Sequence, residues 1–273
     1  MASNHTTLPN LTCAEMSAEH TSALDVLAIA AHRDDVEQTC GGTLLKMARQ
    51  GARTGILDLA QGELGSRGSA DSRATEAADA ARILQVAWRE ALDIPDGRVE
   101  NNYANRIKIA RVVREQQPRV VILPYWKGRH PDHYTCATLG YEGCFLAGLS
   151  RLGQTLATHD VNPFTLRAVC GLAPHRPFKI VYATLYYDVR PTFVVDITAE
   201  FESKLESIFA YKEQFADQAS GSKDFPAHAE IRERVAAMAH FYGMMAGVKY
   251  GEPFFQKEVG LVGDLRLVPV QSI

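Results

Sequence analysis

Several features that define common protein classes are missing from this sequence of 273 residues. No apolar run approaches the roughly 20 residues that span a bilayer, so we expect no membrane segment. The net charge of −3 shows no basic surplus, which argues against nucleic-acid binding. The N-terminus has neither the basic start nor the apolar core of a secretion signal, so we expect a cytoplasmic location.

A disulfide framework is also missing. The five cysteines are odd in number and form no Cys-x-x-Cys pair, which favours a reducing compartment. Cys136 and Cys144 fall among apolar residues of an expected helix, where we expect them to pack in the core. The composition, 46% hydrophobic and 22% charged, is typical of a globular protein with a substantial core.

Apolar runs alternate with helical patterns along the chain. The runs at 25–31, 52–60 and 119–125 predict buried parallel strands. Helical patterns occupy 37–51, 73–86, 105–117, 199–215 and 228–247, and further strands are predicted at 182–188 and 191–197. This alternation predicts an α/β, Rossmann-like fold with a mostly parallel sheet flanked by helices. No linker interrupts the pattern, so we predict one domain over 25–273 after a loosely ordered extension, 1–24.

Two polar clusters follow predicted strands. His32, Asp34 and Asp35 come directly after the first strand, whereas "GRHPDHYT" places a second cluster after the third predicted strand. The second cluster consists of His130, Asp132 and His133. The carboxyl ends of parallel strands meet at one edge of a sheet, which is where α/β proteins bind their ligands. The two clusters are therefore expected to meet.

Two imidazoles and a carboxylate form a suitable site for a catalytic zinc, which keeps a fourth position open for water. Bound zinc lowers the pKa of that water to about 7 and polarises a carbonyl. Each cluster alone also fits a structural role, either a helix N-cap with acids near the helix N-terminus or a turn built on Pro131. Their equivalent positions after two strands favour a shared site.

The motifs themselves resemble those of a known family. "AHRDDVEQTCGGTLLK" (31–46) is similar to the AHPDD motif of the LmbE-like (PIG-L) zinc de-N-acetylases, and "PYWKGRHPDH" (124–133) resembles their second motif. Segments such as "LDLAQGELGSRGS" and "LDIPDGRV" are similar to the branch of bacillithiol-biosynthesis deacetylases. The resemblance covers about residues 25–256. The sequence departs from the pattern at Arg33, where the family usually has proline.

The resemblance implies a role for each matching residue. It implies that His32, Asp35 and His133 bind the metal and that Asp34 is the general base. It implies that His130, oriented by Asp132, stabilises the oxyanion and protonates the leaving amine. Three arginines stand where similar proteins have arginines facing the site, and a carboxylate-bearing aglycone such as malate would suit them. They are Arg73, Arg129 and Arg176.

The implied activity is removal of acetyl from an N-acetylglucosaminyl substrate such as N-acetylglucosaminyl-malate, with Zn²⁺ or Fe²⁺ as the cofactor. A homo-oligomer, by resemblance a hexamer, is expected. Alternatives are an amidase for a thiol conjugate or another N-acyl compound, and a non-catalytic metal- or sugar-binding protein. A nucleotide-binding oxidoreductase is disfavoured because the glycine fingerprint after the first strand is missing.

Overall fold

The computed structural model describes residues 23–65, 69–152, 169, 171–184, 187–215 and 228–270. The predicted extension, 1–24, lies almost wholly outside the described residues. Within the described ranges the chain forms one sheet of seven strands with helices on both faces. The predicted Rossmann-like α/β fold is thus confirmed.

The sheet is mostly parallel. Its strands are β1 (Val26–Ala30), β2 (Thr54–Asp58), β3 (Trp88–Ala91), β4 (Val120–Pro124), β5 (Lys179–Ala183), β6 (Phe193–Asp196) and β7 (Gly251–Phe255). They lie in the order β3-β2-β1-β4-β5-β7-β6. The first five are parallel, and β7 pairs antiparallel with both β5 and β6. All five residues of β1 and of β2 are buried, as expected of central strands covered on both faces.

The helices cover the sheet from both sides. They are α1 (Asp35–Thr39), α2 (Gly41–Arg49), α3 (Ala70–Ile83), α4 (Tyr103–Gln116), α5 (Pro131–Ala147), α6 (Phe201–Phe209), α7 (Lys212–Phe215) and α8 (His228–Ala246). Residues of α4 and α5 pack in one core cluster on the sheet, and residues of α1 and α2 pack in another. None of the helices in the described ranges combines the length and the apolar character needed to cross a bilayer.

The topology creates a crevice beside β1. The chain runs from β1 to β2 and β3 on one side, and β4 then pairs with β1 on the other side, with Val26 opposite Val120. The strand order therefore reverses between β1 and β4. Open α/β sheets bind ligands at such a reversal, outside the carboxyl ends of the strands.

The boundaries differ from the sequence-based expectations in several places. The helix predicted at 37–51 is broken at Cys40 (φ −140°), which separates α1 from α2. The helix predicted at 199–215 is likewise two helices, α6 and α7. Strands β3 and β7 were not predicted, and the strand predicted at 182–188 instead ends at Ala183.

Candidate metal centre and active site

The two polar clusters come together at the carboxyl ends of β1 and β4. His32 lies two residues beyond the end of β1, and Asp35 begins α1. After the neighbouring strand β4, His130 is the N-cap of α5. Pro131 occupies the first turn of this helix, where a backbone N–H would have no partner within the helix, so the lack of one in proline does not weaken the helix. His133 follows in that turn. The expected meeting of the two clusters is thus seen in the structure.

Three side chains converge with spacing that suits a metal ion. Nδ1 of His32 lies 3.3 Å from Nε2 of His133 and 3.5 Å from Oδ2 of Asp35, and Oδ1 of Asp35 lies 3.2 Å from Nε2 of His133. Ligand atoms at tetrahedral zinc distances are about 3.3–3.4 Å apart. The observed separations are close to this spacing, with Oδ2 of Asp35 facing His32 and Oδ1 facing His133.

The opposite nitrogen of His32 points at two acids. Its Nε2 lies 3.1 Å from Oδ1 of Asp96 and 3.1 Å from Oδ2 of Asp132. A metal-binding imidazole commonly donates its other N–H to a carboxylate, which fixes the tautomer and strengthens the ligand. Taking one ligand atom from each residue, two groups have all their ligand atoms within 4.8 Å of one another: His32 with His130 and His133, and His32 with Asp96 and Asp132.

The acids around His32 favour positive charge at this position. Burial opposes the charged imidazole, but hydrogen bonds with Asp35 and Asp96 outweigh it and raise the pKa of His32 to about 11. Burial likewise opposes a charge on Asp35, yet the hydrogen bonds with His133 and His32 hold the pKa of Asp35 far below its usual range. The cluster is electrostatically suited to a cation.

Asp34 has an unusual backbone and an unusual environment. Its φ of 102° lies in the left-handed region, which non-glycine residues occupy at a cost and mostly at functional sites. The side chain lines a cavity that His32 and His130 also border, and it accepts a hydrogen bond of 3.2 Å from Gln38. Burial and the nearby charges of Asp35 and Glu37 raise the pKa of Asp34 well above its usual range.

Asp132 is hydrogen-bonded to His130 through its backbone N–H, whereas its carboxylate binds other groups. Its carboxylate accepts from the backbone N–H groups of Gly97 (2.8 Å) and Val99 (3.3 Å), besides contacting His32. The carboxylate is held in this position because Gly97 donates to one of its oxygens and Val99 donates to the other. The backbone N–H of Asp132 instead donates to Nδ1 of His130 at 3.2 Å. A neutral His130 therefore carries its proton on Nε2.

A cavity of about 470 Å³ opens beside these side chains. Arg73 and Arg129 both line it together with His32, Asp34 and His130. Arg73 is 6% exposed, and its Nε has no partner among the described residues. A largely buried guanidinium that lines a cavity is suited to receive an anionic group.

Arg176, the third arginine predicted to face the site, lies in another part of the structure. Arg176 precedes β5 and lies near its amino-terminal end, whereas the polar clusters follow the carboxyl ends of the parallel strands. Its guanidinium lies 5.0 Å from the ring of Phe145 and donates to the carbonyl of that residue. The cavity that Arg176 lines, of about 830 Å³, contains none of the clustered acids and histidines. Within one chain the structure therefore does not place Arg176 at the site.

Arg33, which departs from the family pattern, makes contacts of its own. Its Nη1 donates to the backbone carbonyls of Ala70 (2.8 Å) and Gln61 (3.3 Å). Gln61 lies near the start of the loop between β2 and α3, and Ala70 is the first residue of α3. Arg33 thus ties the loop to the segment that carries His32, and it does so without using an acid of the cluster.

Sequence reasoning missed Asp96 and a buried network behind α1. Asp96 follows β3, whose sequence WREA lacks an apolar pattern, so nothing identified the end of a strand there. In the network, Arg89 donates to both oxygens of Asp58 (2.8 and 3.1 Å) and to Glu37 (2.6 Å). Glu37 belongs to the same short helix as Asp35, so this network anchors the helix that presents the predicted ligand.

Comparisons with known proteins agree with this geometry. The GlcNAc-PI de-N-acetylase family, PIG-L, matches residues 27–144, which include both polar clusters. Diacetylchitobiose deacetylase of Thermococcus kodakarensis is 29% identical over 239 residues, which cover 83% of this chain and 80% of that protein.

Two solved structures share the fold. The conserved protein TT1542 from Thermus thermophilus is 33% identical, with a TM-score of 0.74, and the match covers 88% of this chain and 98% of that one. N,N′-diacetylchitobiose deacetylase from Pyrococcus horikoshii, solved with its inhibitor MPG, is 27% identical, with a TM-score of 0.70 and coverage of 84% and 82%.

The parallel sheet, the reversal of strand order and the acids and histidines clustered around His32 define an α/β enzyme with a candidate metal site in the crevice. The matched family specifies the class further: the chain belongs to the PIG-L, or LmbE-like, superfamily of de-N-acetylases. It is accordingly a hydrolase of the N-deacetylase class.

Proposed function

We propose that this enzyme hydrolyses the N-acetyl group of an N-acetylglucosaminyl substrate carrying an anionic aglycone, such as N-acetylglucosaminyl-malate, to acetate and a free amine. The observation that carries the proposal is the triangle of His32, Asp35 and His133, with ligand atoms 3.2–3.5 Å apart beside a cavity lined by two arginines. The relatives' action on N-acetylated chitobiose supports a sugar substrate.

Zinc is the proposed metal, with Fe²⁺ as the alternative, because two imidazoles and one carboxylate suit both ions. When bound, the ion supplies Lewis-acid polarisation of the amide carbonyl and makes water a better nucleophile at neutral pH. His32, Asp35 and His133 would hold it. Asp96 and Asp132 hold the His32 ring in place through Nε2.

Two side chains of the cavity act on the substrate in this proposal. The Asp34 carboxylate accepts a proton from the attacking water. His130 donates a hydrogen bond from Nε2 to the carbonyl oxygen as negative charge develops there, since its Nδ1 is occupied by the N–H of Asp132. Burial and the neighbouring His32 and His133 lower the pKa of His130, which favours this neutral form. The leaving nitrogen then takes from Asp34 the proton that Asp34 accepted from the water, so the Asp34 carboxylate is regenerated.

The substrate assignment depends on the anionic group. Zinc-loaded protein is mixed with N-acetylglucosaminyl-malate, free N-acetylglucosamine and diacetylchitobiose, and released primary amine is measured with and without a chelator. We expect chelator-sensitive release, strongest with the malate conjugate. Zinc binding without release from any of the three would refute the substrate class, and equal release from all three would refute the anionic aglycone.

The Arg73→Ala variant tests directly whether the enzyme binds the anionic aglycone. We expect this variant to raise KM for the malate conjugate at least tenfold and to leave KM for diacetylchitobiose nearly unchanged, because only the former offers carboxylates to the guanidinium. Arg82→Ala on the same helix is the matched control, since Arg82 has an exposed side chain paired with Asp79. Equal effects of Arg73→Ala on both substrates would count against a carboxylate contact.

A further inference from the structure

Asp34 stands at the N-terminus of α1 without capping this helix. It is the N-cap residue, with a φ of 102° and a ψ of −21°, and its side chain accepts no hydrogen bond from the helix backbone. An aspartate at an N-cap ordinarily accepts one from the second or third residue of the helix. The Asp34 side chain instead lines the cavity of about 470 Å³ together with His32 and His130. The carboxylate therefore needs another partner to fix its direction.

Gln38, one turn further along α1, is that partner. Its Nε2 donates to Oδ2 of Asp34 at 3.2 Å and to the backbone carbonyl of the same residue at 3.5 Å. Within the described residues no other group donates to the Asp34 carboxylate. Gln38 lines the same cavity as Asp34, so the contact lies on the side of α1 that faces the substrate space.

The helix that carries Gln38 is held in place on both sides of this residue. Glu37 is fully buried and accepts a hydrogen bond of 2.6 Å from Arg89. Thr39 donates its hydroxyl to the carbonyl of Asp35 at 2.8 Å. A donor on a fixed element limits the orientations that are open to the carboxylate it binds.

We propose that Gln38 is a positioning residue whose amide N–H holds one oxygen of Asp34 and thereby aims the other at the attacking water. The inference rests on the proposed function, in which Asp34 is the general base. A base must lie within hydrogen-bond reach of the proton that it accepts, and a small misplacement slows the reaction. A Gln–Asp pair one turn apart ordinarily stabilises a helix, but the Asp34 backbone is not helical, so the pair fixes the carboxylate instead.

Gln38→Met tests this role because methionine has a similar length and lacks the donor. With the substrate that releases most amine, we expect kcat to fall about tenfold while KM, metal content and Tm stay close to the wild-type values. Gln50→Met is the matched control, since Gln50 is the exposed C-cap of α2, and it should leave kcat unchanged. If Gln38→Met does not fold, Gln38→Glu, which keeps the length but has no N–H to donate, replaces it.

The kinetic outcomes that overturn the inference differ from those expected. A rise in KM at unchanged kcat would make Gln38 a substrate contact and not a positioning residue. Unchanged kcat and KM would show that Asp34 does not depend on Gln38.

A double-mutant cycle with Asp34→Asn separates this inference from the proposed function. If Gln38 acts through Asp34, Gln38→Met should change the residual kcat of Asp34→Asn by less than about twofold. A further tenfold loss in the double variant would overturn the inference, because Gln38 would then act independently of Asp34. Wild-type turnover in Asp34→Asn would refute the general base of the proposed function. Reduced turnover in Asp34→Asn with unchanged turnover in Gln38→Met would refute the positioning role alone.

Crystal structures of the zinc-loaded wild type and Gln38→Met provide a test that does not depend on turnover. We expect the Asp34 carboxylate to have one orientation in the wild type, in contact with Gln38, and to rotate or occupy several orientations in the variant. An identical carboxylate position in the two structures would overturn the inference, even if none of the substrates is deacetylated.

Discussion

Arg73 fills a space that exists because residue 62 is glycine. Gly62 has a φ of +80°, and a Cβ at this position would lie 2.8 Å from Cδ of Arg73 and nearer still to its guanidinium. A side chain at residue 65 would also collide with that guanidinium. The glycines of "GELG" therefore shape the pocket in which the buried arginine lies.

Gly62→Ala should displace Arg73 and weaken binding of the anionic substrate. We expect KM for N-acetylglucosaminyl-malate to rise at least fivefold more than KM for diacetylchitobiose. Gly51→Ala is the matched control, because Gly51 has a similar φ of +88° with no atom within 4 Å of an added Cβ. Both variants should lose about 1–2 kcal/mol of stability from backbone strain. A similar KM effect in both would show that strain, and not Arg73, is responsible.

Arg33→Met should loosen the loop between β2 and α3 and leave the metal site intact. The variant loses the two hydrogen bonds to Gln61 and Ala70, so we expect the free energy of unfolding to fall by about 1–3 kcal/mol. KM should rise severalfold, because α3 carries Arg73. Metal content per chain should stay at the wild-type value. Loss of metal with an unchanged KM would place the effect of Arg33 at the ligands instead.

Asp96→Asn should weaken metal binding without removing a ligand. The carboxylate fixes the His32 ring through Nε2, and loss of such a partner typically costs 10- to 100-fold in metal affinity. Competition with a chromogenic chelator measures the change. Asp93→Asn is the control, since this nearby acid is exposed and pairs with Lys108. An unchanged affinity in Asp96→Asn would mean that Asp132 alone suffices to hold the ring.

The parts of the fold visible in the sequence are those with a periodic apolar signal. The central strands β1, β2 and β4 are short aliphatic runs, and their alternation with helices predicted the parallel sheet and its ligand edge. Strand β3 has the mixed sequence WREA at the border of the sheet, and β7 contains Pro253, which argues against a strand. Their positions depend on pairing with neighbours, which single-sequence patterns do not contain.

Site residues that depend on strands without an apolar pattern were likewise not predictable from the sequence. His32 and His133 were recognisable because each follows a visible strand, whereas Asp96 was hidden behind the unrecognised β3. The position of Arg176 could not be judged until β5 was located, because residues before a strand lie at the opposite edge from residues after it. The partner of the Asp132 carboxylate was hidden as well, since Gly97 and Val99 contribute only backbone N–H groups.

In the proposed mechanism, His32, Asp35 and His133 hold a catalytic divalent metal while Asp34 acts on the substrate. We would first measure metal content and amine release on the same preparations of wild type, His133→Ala and Asp34→Asn. We predict one metal per chain in the wild type and in Asp34→Asn, and little in His133→Ala. Amine release should fall by roughly 10²- to 10⁴-fold in Asp34→Asn despite its full metal content. Full metal content in His133→Ala would rule out His133 as a ligand, and wild-type turnover in Asp34→Asn would rule out Asp34 as the general base.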